Sequence, residues 1–160
     1  MGKQMQVVSQ AISSLLGSPA SKFVSGLLEG QAAYERQDFV TALEKFKPIA
    51  LEGNAEAQRC LGMMYEYAQG VAKDHAESVK WYRLAAEQGY ARAQNKLGLK
   101  YAAGEGVARD PVLAVTWFGL AAEQGLAFAQ NNLGAMYEKG DGVAQDYAKA
   151  LHWYRLSAAQ

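Results

Sequence analysis

The stretch from Gly53 to Gly89 reads GNAEAQRCLGMMYEYAQGVAKDHAESVKWYRLAAEQG, and its main residue types return twice more along the chain. The tryptophans show the spacing most simply, because Trp81, Trp117 and Trp153 follow one another at steps of 36 residues. The same step relates four further sets, which are Leu61, Leu97 and Leu133; Gly62, Gly98 and Gly134; Tyr65, Tyr101 and Tyr137; and Asp74, Asp110 and Asp146. A fixed period of this length without strand-like alternation is typical of a solenoid, in which each unit buries its apolar face against the next.

Each unit is predicted to contain a helix A, a glycine-containing loop and a helix B. In the first copy, apolar residues recur at the three- and four-residue steps that place side chains on one face of a helix. These residues are Ala57, Leu61, Met64 and Tyr65. We expect helix A to span Asn54 to Ala68, Ala91 to Ala103 and Ala127 to Lys139 in the three copies. The glycine inside each helix A costs about 1 kcal/mol of helix propensity relative to alanine. This cost predicts that a neighbouring helix approaches too closely there for a side chain.

The loops read AQGVAKD, GEGVARD and GDGVAQD. The glycine before each valine, at Gly70, Gly106 and Gly142, is expected to adopt a positive φ. The loops have no preceding strand and no following Lys-Ser/Thr pair, so they are interpreted as structural and not as phosphate-binding. The aspartate that ends each loop is expected to cap helix B, and Pro111 is expected in the first turn of its helix.

Helix B carries two adjacent aromatic residues in every copy, namely Trp81-Tyr82, Trp117-Phe118 and Trp153-Tyr154. We expect these large rings to wedge between helices in the core, since aromatic side chains bury the largest apolar areas. Alanine pairs such as Ala85-Ala86 follow and would permit close helix crossings. Gly89 and Gly125 are predicted to stop helix B.

The first fifty residues depart from the repeat. Residues 1–20 are predicted to form a short amphipathic helix that ends at Pro19, with a cleaved leader peptide as the alternative. Residues 21–52 are interpreted as a degenerate, tetratricopeptide-like opening hairpin, in which Asp38 caps the second helix. Phe46 is in phase with Tyr82 at the repeat step, although the first helix of the hairpin has drifted from the pattern. Terminal units of solenoids are expected to be atypical.

Composition excludes several classes of function. Lysine plus arginine equals aspartate plus glutamate at 16 each, so no overall field favours nucleic acid or an anionic membrane surface as a partner. Cys60 is the only cysteine, which excludes an internal disulfide and a cysteine-based metal cluster. No window approaches the roughly 18 apolar residues of a membrane span. We expect a soluble protein with neither metal nor cofactor.

Two long strings carry a resemblance to a known family. AEQGYARAQNKLGLKYAAGEGVARDPVLAVTWFGLAA and AEQGLAFAQNNLGAMYEKGDGVAQDYAKALHWYRLSA resemble Sel1-like repeats, a subclass of the tetratricopeptide superfamily, and the resemblance covers about Ala50 to Gln160. It implies an all-α fold, an α/α superhelical solenoid of helix-turn-helix hairpins, with repeats at 53–88, 89–124 and 125–160. Two departures stand out. Ala68 replaces a glycine, which predicts a tighter first loop, and Lys100 replaces Met64 and Met136, which predicts a packed stem with its ammonium reaching solvent.

The resemblance implies a non-enzymatic adaptor or scaffold that binds a peptide or protein on the concave wall of the A helices. The variable positions of the A helices are consistent with such a binding wall. The repeated positions are needed for packing between helices, which leaves the variable ones free to face a ligand. The predicted binding residues are Glu56, Arg59, Cys60, Met63, Tyr67, Arg92, Asn95, Lys96, Leu99, Phe128, Asn131, Asn132 and Glu138. Among them Arg59, Asn95, Lys96, Asn131 and Asn132 would form a ladder of donors for backbone carbonyls or a terminal carboxylate. The alternative is a merely solvated polar face.

Other functions stay open at this stage. The last helix has no polar cap after it in the sequence, so a truncated or self-associating solenoid is the main alternative, with a homo-oligomer formed through that end. Catalysis is not expected, because His75 and His152 lie at different phases of the repeat and no serine sits in a nucleophile elbow. Cys60 is interpreted as a small, partly buried residue, with a reactive thiol as the alternative. The resemblance also leaves a cell-wall-ligand-binding or hydrolytic role as a remote option, and a bacterial cytoplasm or periplasm as the compartment.

Overall fold

The computed structural model describes residues 19–160, and their side chains from residue 23 onward. The predicted amphipathic helix or leader therefore lies, up to residue 18, outside the described residues. Pro19 itself begins a helix that continues to Glu35. A proline is tolerated in the first turn of a helix, since it lacks only an N–H that would have no partner there.

The described residues form eight α-helices and no strand. Helices α1 to α8 span Pro19–Glu35, Phe39–Leu51, Ala55–Tyr67, His75–Glu87, Ala91–Ala103, Pro111–Glu123, Ala127–Lys139 and Tyr147–Ala158. The extensive helix contacts all join elements that are neighbours in sequence, as in a solenoid. The predicted all-α repeat architecture is confirmed. Helix A of the first copy is one residue shorter at each end than predicted, because Asn54 is its N-cap and Ala68 its C-cap.

The glycine inside each helix A lies against an aromatic ring of helix B, as its helix-propensity cost predicts. A Cβ atom at Gly62 would lie 2.6 Å from the ring of Tyr82, and one at Gly98 would lie 2.7 Å from Phe118. The same relation joins Gly134 to Tyr154 at 2.8 Å. A side chain in any of these positions would force the two helices apart.

The two aromatic residues of helix B have unequal roles. Tyr82 and Phe118 are fully buried, whereas Trp81, Trp117 and Trp153 are only half-buried and pack against the edges of the core. The predicted burial of the aromatic pairs therefore holds fully for Tyr82 and Phe118 and in part for the tryptophans. The second aromatic of each pair points at the glycine of helix A, and the tryptophan beside it is turned partly toward solvent because adjacent helical residues face different directions.

The loop between the two helices of a repeat also packs on the preceding repeat. Gly70, Gly106 and Gly142 have φ between 73° and 74°, as predicted. A Cβ atom at Gly106 would lie 2.2 Å from the carbonyl oxygen of His75, and one at Gly142 would lie 2.2 Å from that of Pro111. Each of these loops therefore touches the first turn of the previous helix B through its backbone.

Ala68 does not tighten the first loop, contrary to the prediction. It adopts the left-handed conformation at φ 56° and ψ 42°, close to Gly104 at 74° and 31° and Gly140 at 68° and 29°. The three helices end in the same way, but in the first copy an alanine bears the strain that glycine avoids.

Side-chain caps and a ladder of glutamines tie the repeats together. Asp38, Asp74, Asp110 and Asp146 all accept the backbone N–H three residues later, at 2.9–3.2 Å, as predicted. Buried Gln58, Gln94 and Gln130 donate to the last turn of the preceding helix, at the carbonyls of Ala50, Ala86 and Ala122. Each also accepts from a glutamine thirty residues later, Gln88, Gln124 or Gln160. These bonds satisfy amides that would be costly to bury alone.

The opening hairpin uses the same packing with a shorter loop. A Cβ atom at Gly30 would lie 2.6 Å from the ring of Phe46, which repeats the Gly62–Tyr82 contact. The partners are sixteen positions apart here and twenty in the repeats, which explains why α2 keeps the phase of the repeats while α1 has lost it. None of the described helices is long and apolar enough to cross a membrane.

Candidate functional site

Two neighbouring recesses open on the side of the molecule formed by the A helices. The first, of about 300 Å³, is lined by Gln31, Tyr34, Glu35, Phe46, Glu56, Arg59, Cys60, Met63 and Arg92. The second, also of about 300 Å³, is lined by Arg59, Arg92, Asn95, Lys96, Leu126 and Phe128. Because Arg59 and Arg92 line both, we treat the two recesses as one surface and call it the A-helix groove. It runs from α1 past α3 and α5 to α7.

Arg59 forms the fixed centre of the groove. Its guanidinium donates to both carboxylate oxygens of Glu56, at 2.7 and 3.1 Å, and contacts the sulfur of Met63 at 2.6 Å. Tyr90 donates its hydroxyl to the same Glu56. Burial by itself would raise the pKa of Glu56, but the hydrogen bonds from Arg59 and Tyr90 outweigh burial and hold that pKa below its usual value. Glu56 is therefore ionised at neutral pH and fixes the position of Arg59.

The second recess has an unbalanced charge. Three cations, Arg59, Arg92 and Lys96, line it together with Asn95, Leu126 and Phe128, and no acidic side chain does. Lys96 is paired with Glu66 at 3.1 Å and donates to the hydroxyl of Tyr67 at 2.9 Å. Arg92, by contrast, is exposed and forms no hydrogen bond or ion pair with any described residue. It is the cation of this recess that a ligand can reach.

The predicted ladder of donors is already engaged in part within the chain. Asn95 is buried and accepts from the amide of Asn132 at 2.9 Å, while Arg59 and Lys96 have the acidic partners described above. Asn131 is exposed. The donors therefore lie along neighbouring A helices, and most of them brace one helix against the next.

The remaining predicted residues lie around the groove or farther along it. Tyr67, Leu99 and Phe128 are exposed, and Phe128 keeps 76% of its accessible surface. Glu138 is exposed and accepts from the hydroxyl of Tyr154 at 2.6 Å. The structure thus brings Glu56, Arg59, Cys60, Met63, Arg92, Asn95, Lys96 and Phe128 into the groove lining and leaves Tyr67, Leu99, Asn131, Asn132 and Glu138 outside the two recesses.

Lys100 does not send its ammonium to solvent, so that prediction is wrong. The residue is only 2% exposed, and its Nζ lies 2.8 Å from Glu66 and 2.8 Å from Glu105. Burial by itself would lower the pKa of Lys100, but the hydrogen bonds to Glu105 and Glu66 raise it above its usual value. Lys100 therefore stays charged and joins the loop of the second repeat to helix α3 of the first.

The titratable groups near the groove do not form a catalytic arrangement. Cys60 is 6% exposed, and burial raises the pKa of its thiol to about 12, which disfavours the reactive-thiol alternative. Among residues 19–160, no group of three or more histidine, cysteine, aspartate or glutamate side chains is placed to hold a metal ion. His75 lies beside Lys100 and Glu105 and does not line either recess.

Sequence reasoning missed Tyr90, Leu126 and the contributions of α1, including Tyr34. Asn54, Tyr90 and Leu126 occupy the same repeat position, just before helix A. Asn54 caps α3 through a bond to the N–H of Ala57 at 2.9 Å, whereas Tyr90 and Leu126 make no side-chain cap bond. In the second and third copies this position does not hold a capping residue. That change in the sequence could have indicated that Tyr90 and Leu126 have a different role, at the groove. Tyr34 could not be found because α1 is out of phase with the repeats.

Comparison with known proteins places this geometry in a family. The Sel1 repeat family model matches residues 55–90, 91–126 and 127–160. Comparison with curated protein sequences finds no significant match. A Sel1 repeat protein from Oxalobacter formigenes is similar at 36% identity and a TM-score of 0.79, over 82% of this chain and 54% of that one.

Two other solved structures are similar. A protective antigen of uropathogenic Escherichia coli with an SLR fold matches at 35% identity and a TM-score of 0.80, over 98% of this chain. Helicobacter pylori cysteine rich protein B, at 20% identity and a TM-score of 0.55, is similar in fold alone. The chain spans 54% and 33% of the lengths of the first two structures. With three matched repeats over residues 55–160, the chain belongs to the Sel1 repeat family.

Proposed function

We propose that this chain is a protein-interaction module that binds an extended segment of a partner protein along the A-helix groove, on the concave side of the solenoid. Repeats of this family generally serve as non-enzymatic scaffolds for protein interactions. The observation that carries the proposal is the pair of adjoining recesses that share Arg59 and Arg92. A continuous groove across three A helices suits a chain segment better than a compact small molecule.

The composition of the groove supports this choice. Recognition sites combine apolar side chains with a few fixed polar groups. Tyr34, Met63, Leu126 and Phe128 supply the apolar surface, and Asn95 together with the cations supplies polar atoms. Exposed Phe128 has the properties of an interface anchor, because aromatic residues contribute most to binding when a partner covers them.

The groove is also organised before a ligand arrives. Glu56 is held by Arg59 from its own helix and by Tyr90 from the next repeat, so these bonds join α3 to the start of α5. Asn132 donates to Asn95 and joins α7 to α5. A site whose walls are already ordered loses less conformational entropy on binding. The internal bonds of the predicted donors thus favour binding even though they occupy some of the donors.

Site-specific photocrosslinking tests the proposal. A benzophenone amino acid is placed at Phe128 or Tyr67 beside the groove, and at Val112, which is 61% exposed on helix B, as the matched control. After irradiation in lysate of the source organism, crosslinked peptides are identified by mass spectrometry. We expect Phe128 and Tyr67 to capture the same segment of one partner and Val112 to miss it. Capture of that partner through Val112 alone would contradict groove binding.

Self-association is a second candidate. Helix α8 exposes Tyr147 and Leu151, which are one turn apart and form an apolar surface on one side of the last described helix. Light scattering over a concentration series tests it, with Leu151→Glu as the variant and Leu120→Glu on α6 as the control. A mass that rises with concentration and falls to the monomer only in Leu151→Glu is expected, and a strict monomer at every concentration contradicts it.

A further inference from the structure

We propose that the A-helix groove selects segments in which an acidic side chain lies between two apolar side chains, with Arg92 as the residue that binds the acid. The inference rests on the proposed function, because it specifies what the groove binds. It depends on the position of Arg92 between the two recesses and on the partners that the neighbouring cations already have.

The charge of the second recess points to an anion. Its lining contains Arg59, Arg92 and Lys96 and no acidic group. Arg59 already holds Glu56 and Lys96 already holds Glu66, so their charges are largely compensated. Arg92 is exposed and has no such partner among the described residues. A carboxylate that enters the groove therefore gains most at Arg92, whose planar guanidinium can bind both carboxylate oxygens.

The surfaces beside Arg92 point to apolar neighbours of that acid. On one side the first recess offers Tyr34, Cys60 and Met63, and its two acidic side chains are Glu56, which Arg59 holds, and the exposed Glu35. On the other side the second recess offers Leu126 and Phe128. In an extended chain, alternate side chains point the same way and are about 7 Å apart. A segment with the pattern apolar–x–acidic–x–apolar would place one side chain in each recess and the acid at Arg92.

The acid is an internal side chain in this proposal and not a chain terminus. Arg92 lines both recesses, so a terminal carboxylate bound there would leave one recess without a side chain. An internal aspartate or glutamate lets the segment continue in both directions along the groove. The two sources of a carboxylate are separated by the choice of peptides below.

Fluorescence polarisation with labelled nonapeptide pools tests the proposal on the full chain. The first pool is N-acetylated and C-amidated, with aspartate at its centre and a mixture of leucine, isoleucine, methionine and phenylalanine two residues to either side. The second pool has asparagine at its centre. The third keeps asparagine and has a free terminal carboxylate. We expect the aspartate pool to bind at least about tenfold more tightly than either other pool, since hydrogen bonds to charged groups are the strong ones.

Variants show whether Arg92 causes the preference. Arg92→Gln removes the charge and keeps a hydrogen-bond donor, and we expect it to reduce the preference for aspartate to less than about threefold, since only the charge-assisted bond is lost. Arg36→Gln makes the same change of net charge at an exposed site outside both recesses, and it should leave the preference unchanged. Circular dichroism confirms that both variants keep the helical content of the parent.

The outcomes separate this inference from the proposed function. If the aspartate and asparagine pools bind equally, or if Arg92→Gln keeps the full preference, the acid selection is wrong while the groove still binds segments. Stronger binding of the third pool would show that a terminal carboxylate is the ligand, and would also overturn the inference. If no pool binds the parent chain, both the inference and the proposed function fail.

Discussion

The junction between the first and second repeats differs in chemistry from the junction between the second and third, although both have the same backbone arrangement. At the first junction Lys100 is buried between Glu66 and Glu105, and Tyr90 donates to Glu56. At the second, Met136 takes the place of Lys100. Leu126 takes the place of Tyr90, so the equivalent positions are apolar. We call these the polar junction and the apolar junction.

What the two junctions share explains the fold. In both, a loop glycine touches the first turn of the previous helix B, and a buried glutamine joins helix A to the end of that helix. These contacts involve backbone atoms or repeated side chains. Of the residues that differ between the junctions, Tyr90 reaches the groove through its bond to Glu56, whereas Lys100 and Glu105 lie beside His75. The comparison indicates that repeated residues build the solenoid and that the others are free to define a binding surface.

The largest effects should come from the shared contacts. Gly106→Ala at the polar junction and Gly142→Ala at the apolar one would each place a Cβ atom 2.2 Å from a carbonyl oxygen, at positions with φ of 74° and 73°. Overpacking of about 1–3 kcal/mol and a left-handed alanine of about 1–2 kcal/mol predict losses of roughly 2–5 kcal/mol in each. Urea denaturation measures them. If the two losses of stability differ by more than about 1 kcal/mol, the loop-glycine contact is not equivalent at the two junctions.

Loss of the acid at the polar junction, Glu66, should cost more than loss of its equivalent in the last repeat, Glu138; the equivalent position at the apolar junction is Ala102. Glu66 and Glu138 are equivalent residues, and each accepts a tyrosine hydroxyl at 2.6 Å, but only Glu66 also holds Lys100. Glu66→Gln leaves the ammonium of Lys100 with Glu105 alone, and we expect it to destabilise by about 2–3 kcal/mol, at the low end for a broken buried pair. Glu138→Gln is the matched control and should cost less than about 1 kcal/mol.

The pH dependence of the Glu66 effect has a defined sign. Burial by itself would raise the pKa of Glu66, but the hydrogen bonds from Lys100 and Tyr82 outweigh burial. The pKa of Glu66 in the folded state therefore lies below the ordinary 4.5. A carboxyl with a lowered pKa stabilises the fold above its unfolded pKa and loses that contribution as the pH falls through the folded one. The difference in stability between the parent and Glu66→Gln should therefore shrink below pH 4.5. A difference that grows as the pH falls would contradict this assignment.

A smaller effect concerns the loop of the first repeat, which packs on the opening hairpin. Ala68 has φ 56°, where the second and third copies have Gly104 and Gly140. Ala68→Gly should stabilise the protein by about 0.5–1 kcal/mol, because the relief of left-handed strain exceeds the added freedom of the unfolded chain. Gly104→Ala should destabilise it by a similar or larger amount. Thermal unfolding measures both, and a destabilising Ala68→Gly would show that the alanine methyl contributes more than its strain costs.

The smallest effect is expected when the polar junction is made apolar. Lys100→Met installs the residue of the equivalent positions 64 and 136 and removes the buried ion pairs. Replacement of a buried ion pair by an apolar side chain is often neutral or stabilising, and here Glu66 retains Lys96 at 3.1 Å. We expect a change of stability within about 1 kcal/mol at neutral pH, measured by denaturant titration. A loss above about 3 kcal/mol would show that the ion pairs are essential to the fold.

The architecture could be predicted from the sequence because it depends on residues that recur. The glycines of helix A, the capping aspartates and the loop glycines each recur at one step, and each role follows from local chemistry. The failures also have local causes. The sequence shows that an aromatic pair lies in helix B, but the direction of each ring depends on helix packing, so the different burial of Tyr82 and Trp81 could not be predicted. Lys100 was misjudged because Glu66 is distant in sequence and Glu105, five residues later, lies in a loop whose course the helix period does not predict.

The groove could be predicted only in part. Eight of the thirteen predicted residues line the recesses, since the position of a residue on helix A decides whether it faces the neighbouring helices or the open side. Which donors remain available could not be predicted, because the bonds of Asn95 with Asn132 and of Arg59 with Glu56 depend on side-chain geometry. The contribution of Tyr34 depends on a shorter loop in the opening hairpin, which disrupts the period on which the prediction relied.

Chemical-shift mapping shows whether a peptide binds in the A-helix groove. Uniformly ¹⁵N-labelled protein is titrated with the aspartate-centred peptide pool described above, and the amide shifts are followed residue by residue. We expect the largest shifts at Arg59, Arg92, Lys96 and Phe128, with little change on the exposed side of α6. Saturable shifts confined to α6 residues such as Val112 and Thr116, with the groove amides unchanged, would contradict it.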